Sequence, residues 1–223
     1  YILPHSPYIA RKEDYDRYAG RVKPPTVRLP FSDLDHPFDK WWREHVNLVD
    51  PPEEDVMKAR AAYWALVERL DTNIGLILEA LRTNGLDENT LIVYSTDHGD
   101  MVGERELWMK RCFYEPSVKV PAIISWPGVI PSGTRCDRVM SVMDLNATIL
   151  SALGAPPLPG SRGRDAIPML RGEDNDWDDV AISEYAIQEG SVQRMVRKNN
   201  WKFIYHHGEP EQLFDLSADP NEL

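Results

Sequence analysis

The stretch Thr90-Leu91-Ile92-Val93-Tyr94-Ser95-Thr96-Asp97-His98-Gly99-Asp100 decides the architecture of this chain. Leu91 to Tyr94 is an unbroken apolar run with β-branched and aromatic members, the composition of a strand buried on both faces. Strands of that kind lie in sheets covered by helices, which predicts an α/β class. The run delivers Asp97 and His98 at its carboxyl end, where open α/β sheets bind their ligands. Asp97 supplies a hard oxygen donor and His98 a ring nitrogen, together part of the coordination sphere of a divalent cation. Taken alone, Asp-His-Gly also fits a plain capping turn. Gly103, Glu104, Arg105 and Glu106 then interrupt any regular pattern before Lys110. A lysine there is either solvated or folded back over the strand tip, where it would neutralise a sulfate or phosphate oxygen.

The flanks support the same class. Pro51-Pro52-Glu53-Glu54-Asp55 is a helix start, and Tyr63, Val67, Leu70, Ile74, Ile77 and Leu81 recur on one helical face up to Asn84-Gly85. One long helix of about 30 residues is expected, with Gly75 marking a close approach. Val118 to Trp126 reads as a second buried strand. Val142-Met143-Asp144-Leu145-Asn146 opens a helix with Asp144 as N-cap, stopped by Gly154. The expectation for residues 1–172 is a mixed, mostly parallel sheet sandwiched by helices. From 173 to 223 the texture changes to short strands at 181–185, 193–197 and 201–205. Lys198-Asn199-Asn200 fits a hairpin connection, giving a small antiparallel α+β subdomain.

Eight of the 18 prolines fall in residues 1–52, so that region is mostly loop. Tyr1 to Leu3 reads as a short extended segment ending at His5. Alone, His5 is a structural histidine; if its segment runs parallel to the 90–95 strand it reaches the same tip and serves as a general acid. Phe38, Trp41 and Trp42 mark either a packed excursion or a lid, and with Trp108 they would suit a cage for a quaternary ammonium. His206 and His207 read as structural or solvent-facing.

Composition excludes several classes. With 25 basic and 36 acidic residues the net charge is −11, which disfavours nucleic acid as a partner. Cys112 and Cys136 read as buried or semi-buried thiols without zinc-type spacing. No apolar run approaches the ~20 residues that span a bilayer. The start lacks an initiator Met and a leader pattern, so the chain reads as an internal piece and its compartment stays unassigned.

The ordered motifs resemble one family. Asp97-His98-Gly99-Asp100 with Gly103-Glu104, Leu107-Trp108 and Lys110, then Phe113-Tyr114-Glu115 through Pro127-Gly128, resemble formylglycine-dependent sulfatases of the alkaline phosphatase superfamily. His5-Ser6-Pro7-Tyr8, Asp144-Leu145 with Thr148-Ile149-Leu150, Gly163-Arg164-Asp165 and Leu213-Phe214-Asp215-Leu216 match further family segments. Gly103-Glu104-Arg105 with Leu107-Trp108 is particularly close to choline-sulfatase-like members, although Glu106 stands where glycine is common. The resemblance implies an alkaline-phosphatase-like fold and hydrolysis of a small-molecule sulfate ester. It makes Asp97 and His98 ligands of Ca2+, with Mg2+ or Mn2+ as alternatives, and Lys110 and His5 binders of the sulfate and its leaving oxygen. The family's nucleophile is a formylglycine made from Cys or Ser in C/S-x-P-x-R. Neither cysteine fits that motif, so the nucleophile and the rest of the metal site are expected upstream, in a missing N-terminal part. A phosphonate or phosphodiester hydrolase on the same scaffold and a non-catalytic relative remain open.

Overall fold

Pro37 and the Pro51-Pro52 pair start the two helices that organise the amino-terminal half. In the computed structural model, which describes residues 2–34, 36–173, 176–186 and 192–223, the chain divides into two units. One joins Tyr1–Asp87 to His98–Lys119; the other joins Glu88–Asp97 to Val120–Leu223.

The first unit holds α1 (Lys12–Tyr15), α2 (Pro37–His45), α3 (Glu53–Thr83) and α4 (Glu115–Val118). Pro37 sits in the first turn of α2, and His36 Nδ1 accepts from the Phe38 N–H at 3.2 Å. Glu53, Glu54 and Asp55 place negative charge at the amino end of α3, where the helix dipole favours it. The 31-residue helix matches the length expected from its pattern. Its first half packs, with Val56, Ala61, Ala65, Leu66 and Leu70 buried, while Leu76, Ile77 and Leu78 are exposed. Gly75 is also exposed, with open space where a Cβ would point, so it marks no close approach.

The expected extended segment before His5 is absent where the structure describes it. Tyr1 lies outside the described residues, and Leu3-Pro4 form a turn closed by the His5 N–H on the Ile2 carbonyl at 2.9 Å. The 31–49 excursion is packed, with Phe38 and Trp42 each 2% exposed.

The second unit contains β1 (Ile92–Ser95), β2 (Ala122–Ser125), α5 (Val142–Ala152), α6 (Ile167–Leu170) and β3 to β6 (Val180–Ala186, Val192–Lys198, Trp201–His206, Gln212–Asp215). The mixed α/β class holds, but β1 and β2 pair antiparallel, Ile92 opposite Ser125 and Ser95 opposite Ala122. The connection between them is a looping return rather than a crossover helix, and a parallel pair needs the latter. β2 is also shorter than the expected 118–126 run: residues 115–118 take a helical turn, and Pro121 has no N–H to donate to a ladder.

Ser141 rather than Asp144 caps α5. Asp144 occupies the third helical position and its Oδ2 accepts from the Ser141 N–H at 2.7 Å. The carboxyl-terminal strands form one sheet in the order β3-β4-β5-β6, every neighbour antiparallel. Asn199 adopts φ 51° in the two-residue turn between β4 and β5, the left-handed geometry that asparagine tolerates. Cys112 is buried as expected, whereas Cys136 is exposed. Among the described residues no helix is long and apolar enough to cross a membrane.

Candidate active site

Gly99 is where the chain turns out of the Asp-His pair. Its N–H donates to the Ser117 carbonyl at 2.7 Å, and a Cβ here would collide with the Pro116 carbonyl oxygen. Only glycine permits that approach. Asp100 follows and does two things with one oxygen: Oδ1 accepts from its own loop at Val102 N–H (3.0 Å) and from the Tyr8 hydroxyl (2.7 Å). Burial, with the Asp100 charge second, holds the Tyr8 phenol well above its ordinary range, so it stays a neutral donor. Tyr8 also stands edge-on to Tyr63 of α3, centroids 5.6 Å apart.

That tether brings His5 to the loop. Lys110 Nζ lies 2.6 Å from His5 Nε2, and the His5 and His98 rings are 6.1 Å apart. His5 Nδ1 is 2.6 Å from the Ser6 carbonyl oxygen, which accepts only from a protonated nitrogen. Nε2 therefore carries the lone pair and accepts from the Lys110 ammonium. His98 is oriented the same way: Nδ1 lies 2.8 Å from the Gly99 carbonyl, so in the neutral ring Nε2 is the nitrogen with the lone pair. A ring nitrogen oriented by a backbone carbonyl in this manner is suited to ligate a metal.

His5, His98 and Lys110 thus converge within the first unit. Asp97 belongs to the second, two residues beyond β1; it is exposed and accepts from the Thr96 hydroxyl at 3.1 Å. His5 arrives through a turn tied down by Tyr8, not along a parallel strand. Trp108 is 6% exposed and tilted against Tyr8 at 6.4 Å, so its ring is packing rather than an open cage wall.

Comparison with known proteins decides the family. The Sulfatase family profile matches residues 2–155, and that of the N-sulphoglucosamine sulphohydrolase C-terminal region matches 103–223. The chain belongs to the sulfatase family. It is 33% identical over 230 residues to choline-sulfatase of Rhizobium meliloti (strain 1021), covering 99% of this chain and 44% of that protein. Arylsulfatase K of Gallus gallus is 31% identical over 233 residues, with 98% and 42% covered. Among solved structures, a phosphonate monoester hydrolase from Silicibacter pomeroyi superposes with TM-score 0.88 at 27% identity, covering 98% of this chain and 49% of the other. The sulfatase-family chain described here spans less than half the length of these curated relatives.

Two residues that matter here carried no assigned role in the sequence reading. Tyr8 and Asp100 both stood inside the quoted motifs, 92 positions apart, but nothing local ties one to the other.

Proposed function

We propose that this chain carries the metal-and-leaving-group half of a sulfatase centre, for metal-dependent hydrolysis of a sulfate ester. The observation that carries the reading is the 2.6 Å contact between Lys110 and His5 beside His98, in a chain of this family. Asp97 and His98, adjacent in sequence, offer a carboxylate and an imidazole, donor types that suit Ca2+, Mg2+ or Mn2+; two donors do not complete such a sphere. When bound, the cation supplies charge neutralisation of a sulfate oxygen. The nucleophile, a formylglycine hydrate, is assigned to sequence outside these 223 residues, together with the remaining ligands.

Lys110, as an ammonium, faces the ester oxygen that departs and donates a proton or hydrogen bond to it. His5 Nε2 accepts from that ammonium and fixes its direction, and it takes part in proton transfer as the leaving group separates. A choline-sulfatase among the relatives, and a structurally similar protein solved in complex with its substrate D-glucosamine-2-N,6-O-disulfate, support a small sulfate ester as the substrate class.

The test is turnover by the full-length protein of p-nitrophenyl sulfate against a phosphate diester. Hydrolysis of the sulfate, lost on chelation of divalent metal, is expected. Lys110→Ala should lower kcat by roughly 10²–10⁴, the usual contribution of a placed general acid, without moving the melting temperature. Preference for the diester would transfer the assignment to the phosphonate and phosphodiester hydrolases. That second reading draws its support from the Silicibacter pomeroyi structure. The 223-residue polypeptide alone is expected to be inactive.

A further inference from the structure

Lys110 sits in an unusually unfavourable piece of backbone. Val102, Arg105, Glu106, Met109 and Arg111 all have φ between 43° and 85°, the left-handed region that non-glycine residues avoid. Lys110 itself lies between two of them. The loop's own hydrogen bonds, such as Met101 N–H to Met109 carbonyl at 2.7 Å and Gly103 N–H to Leu107 carbonyl at 2.9 Å, close it but do not aim it.

The loop is held from outside by Thr26 and Val27, whose N–H groups donate to Glu104, by Arg60 of α3 on the Val102 carbonyl, and by one face of α2. Asp39, Trp42 and Arg43 stand at i, i+3 and i+4, each at most 2% exposed. Each meets a different loop residue. Arg43 Nη2 donates to Glu106 Oε2 at 2.6 Å, and Trp42 Nε1 donates to the Trp108 carbonyl at 3.1 Å. Asp39 Oδ2 lies 3.8 Å from the Arg105 guanidinium and accepts from the Tyr114 hydroxyl at 2.9 Å. Arg28 adds two bonds to the other Glu106 oxygen, at 2.8 and 3.1 Å. Arg43 is itself held by the Leu29 carbonyl and by Asp50.

Burying these charges is a poor way to gain stability, because apolar side chains of similar size commonly do as well or better. Glycine would also adopt φ 55° at position 106 at less conformational cost. A buried carboxylate bound by two guanidiniums does offer direction, which an apolar contact does not. We infer that Glu106, clamped by Arg43 of α2 and by Arg28, is a positioning residue that aims Lys110 at His5 Nε2. This rests on Lys110 serving the leaving oxygen, and the experiment separates the two claims.

In the full-length protein, the paired apolar replacement Arg43→Met with Glu106→Leu removes direction while preserving bulk. Three readouts are compared with wild type: melting temperature, acylation of Lys110 by acetic anhydride relative to the exposed Lys12, and kcat on an alkyl sulfate against p-nitrophenyl sulfate. The expected result is a near-native melting temperature, increased relative acylation of Lys110, and a kcat loss approaching ~10²-fold on the alkyl sulfate. The loss should be smaller on p-nitrophenyl sulfate, whose good leaving group needs less proton assistance. A folded double variant with both ratios unchanged would overturn the inference and leave the clamp purely structural. Should the double variant fail to fold, Arg28→Gln, which removes one arm of the grip, must move both ratios in the same direction; no movement overturns the inference too. If wild type hydrolyses neither sulfate, the proton-donor reading falls, and the acylation ratio alone decides whether Glu106 positions Lys110.

Discussion

In the sheet from β3 to β6, side chains alternate along each strand and partners face one another across regular ladders; along β5, Lys202, Ile204 and His206 point inward in turn. Between His98 and Lys119 nothing alternates. Five non-glycine residues take left-handed backbone, and Arg105 and Glu106 are buried charges. The sheet repeats a local rule, in which burial follows the alternation along each strand. The loop is an assembly of individual contacts reaching residues 8, 28, 42 and 43, each between residues far apart in sequence. Precision at Lys110 is obtained from that second kind of construction.

The contrast can be broken from either side. Arg43→Ala leaves Glu106 buried without one of its two guanidiniums and should cost about 3–5 kcal/mol, read by urea unfolding; a loss under 1 kcal/mol would mean water or Arg28 repairs the gap. In the sheet, Ile204→Ala at a 1% exposed position should cost roughly 3 kcal/mol through cavity formation alone. Catalytic constants should stay unaffected, and a change in kcat would tie the sheet to the site. Gly99→Ala forces the chain off the Pro116 carbonyl at about 1–3 kcal/mol, and a shifted Lys110–His5 separation in a crystal of the variant is the confirming observation. Ile182→Ser on β3, at a site 51% exposed, should fall within ~0.5 kcal/mol of wild type. A larger effect there would point to a covered rather than a solvated face.

Legibility followed the range of the interactions. The Pro-then-acid start and Asn84-Gly85 end of α3, and the Asn199-Asn200 turn, are set by residues within a few positions of each other and were readable. The exposed Leu76, Ile77 and Leu78 were not, because periodicity says which residues share a face and not whether anything covers it. Asp144 shows the same limit at short range: an acid near a helix start can be the cap or, as here, the third helical residue answering Ser141. At the site, His5, Asp97, His98 and Lys110 could be picked out by type and order. Which of them meet could not.

The sequence by itself determined the α/β class, the long helix and the antiparallel carboxyl-terminal strands, and it singled out candidate residues of the types that bind a cation and an anion. Each follows from local pattern or from side-chain chemistry. Tertiary structure decided that β1 and β2 run antiparallel, that His5 reaches Lys110 through Tyr8 and Asp100, and that α2 grips the Lys110 loop through buried charge. Those outcomes depend on pairings between positions 27 to 105 residues apart, whose energies exist only once the chain has folded.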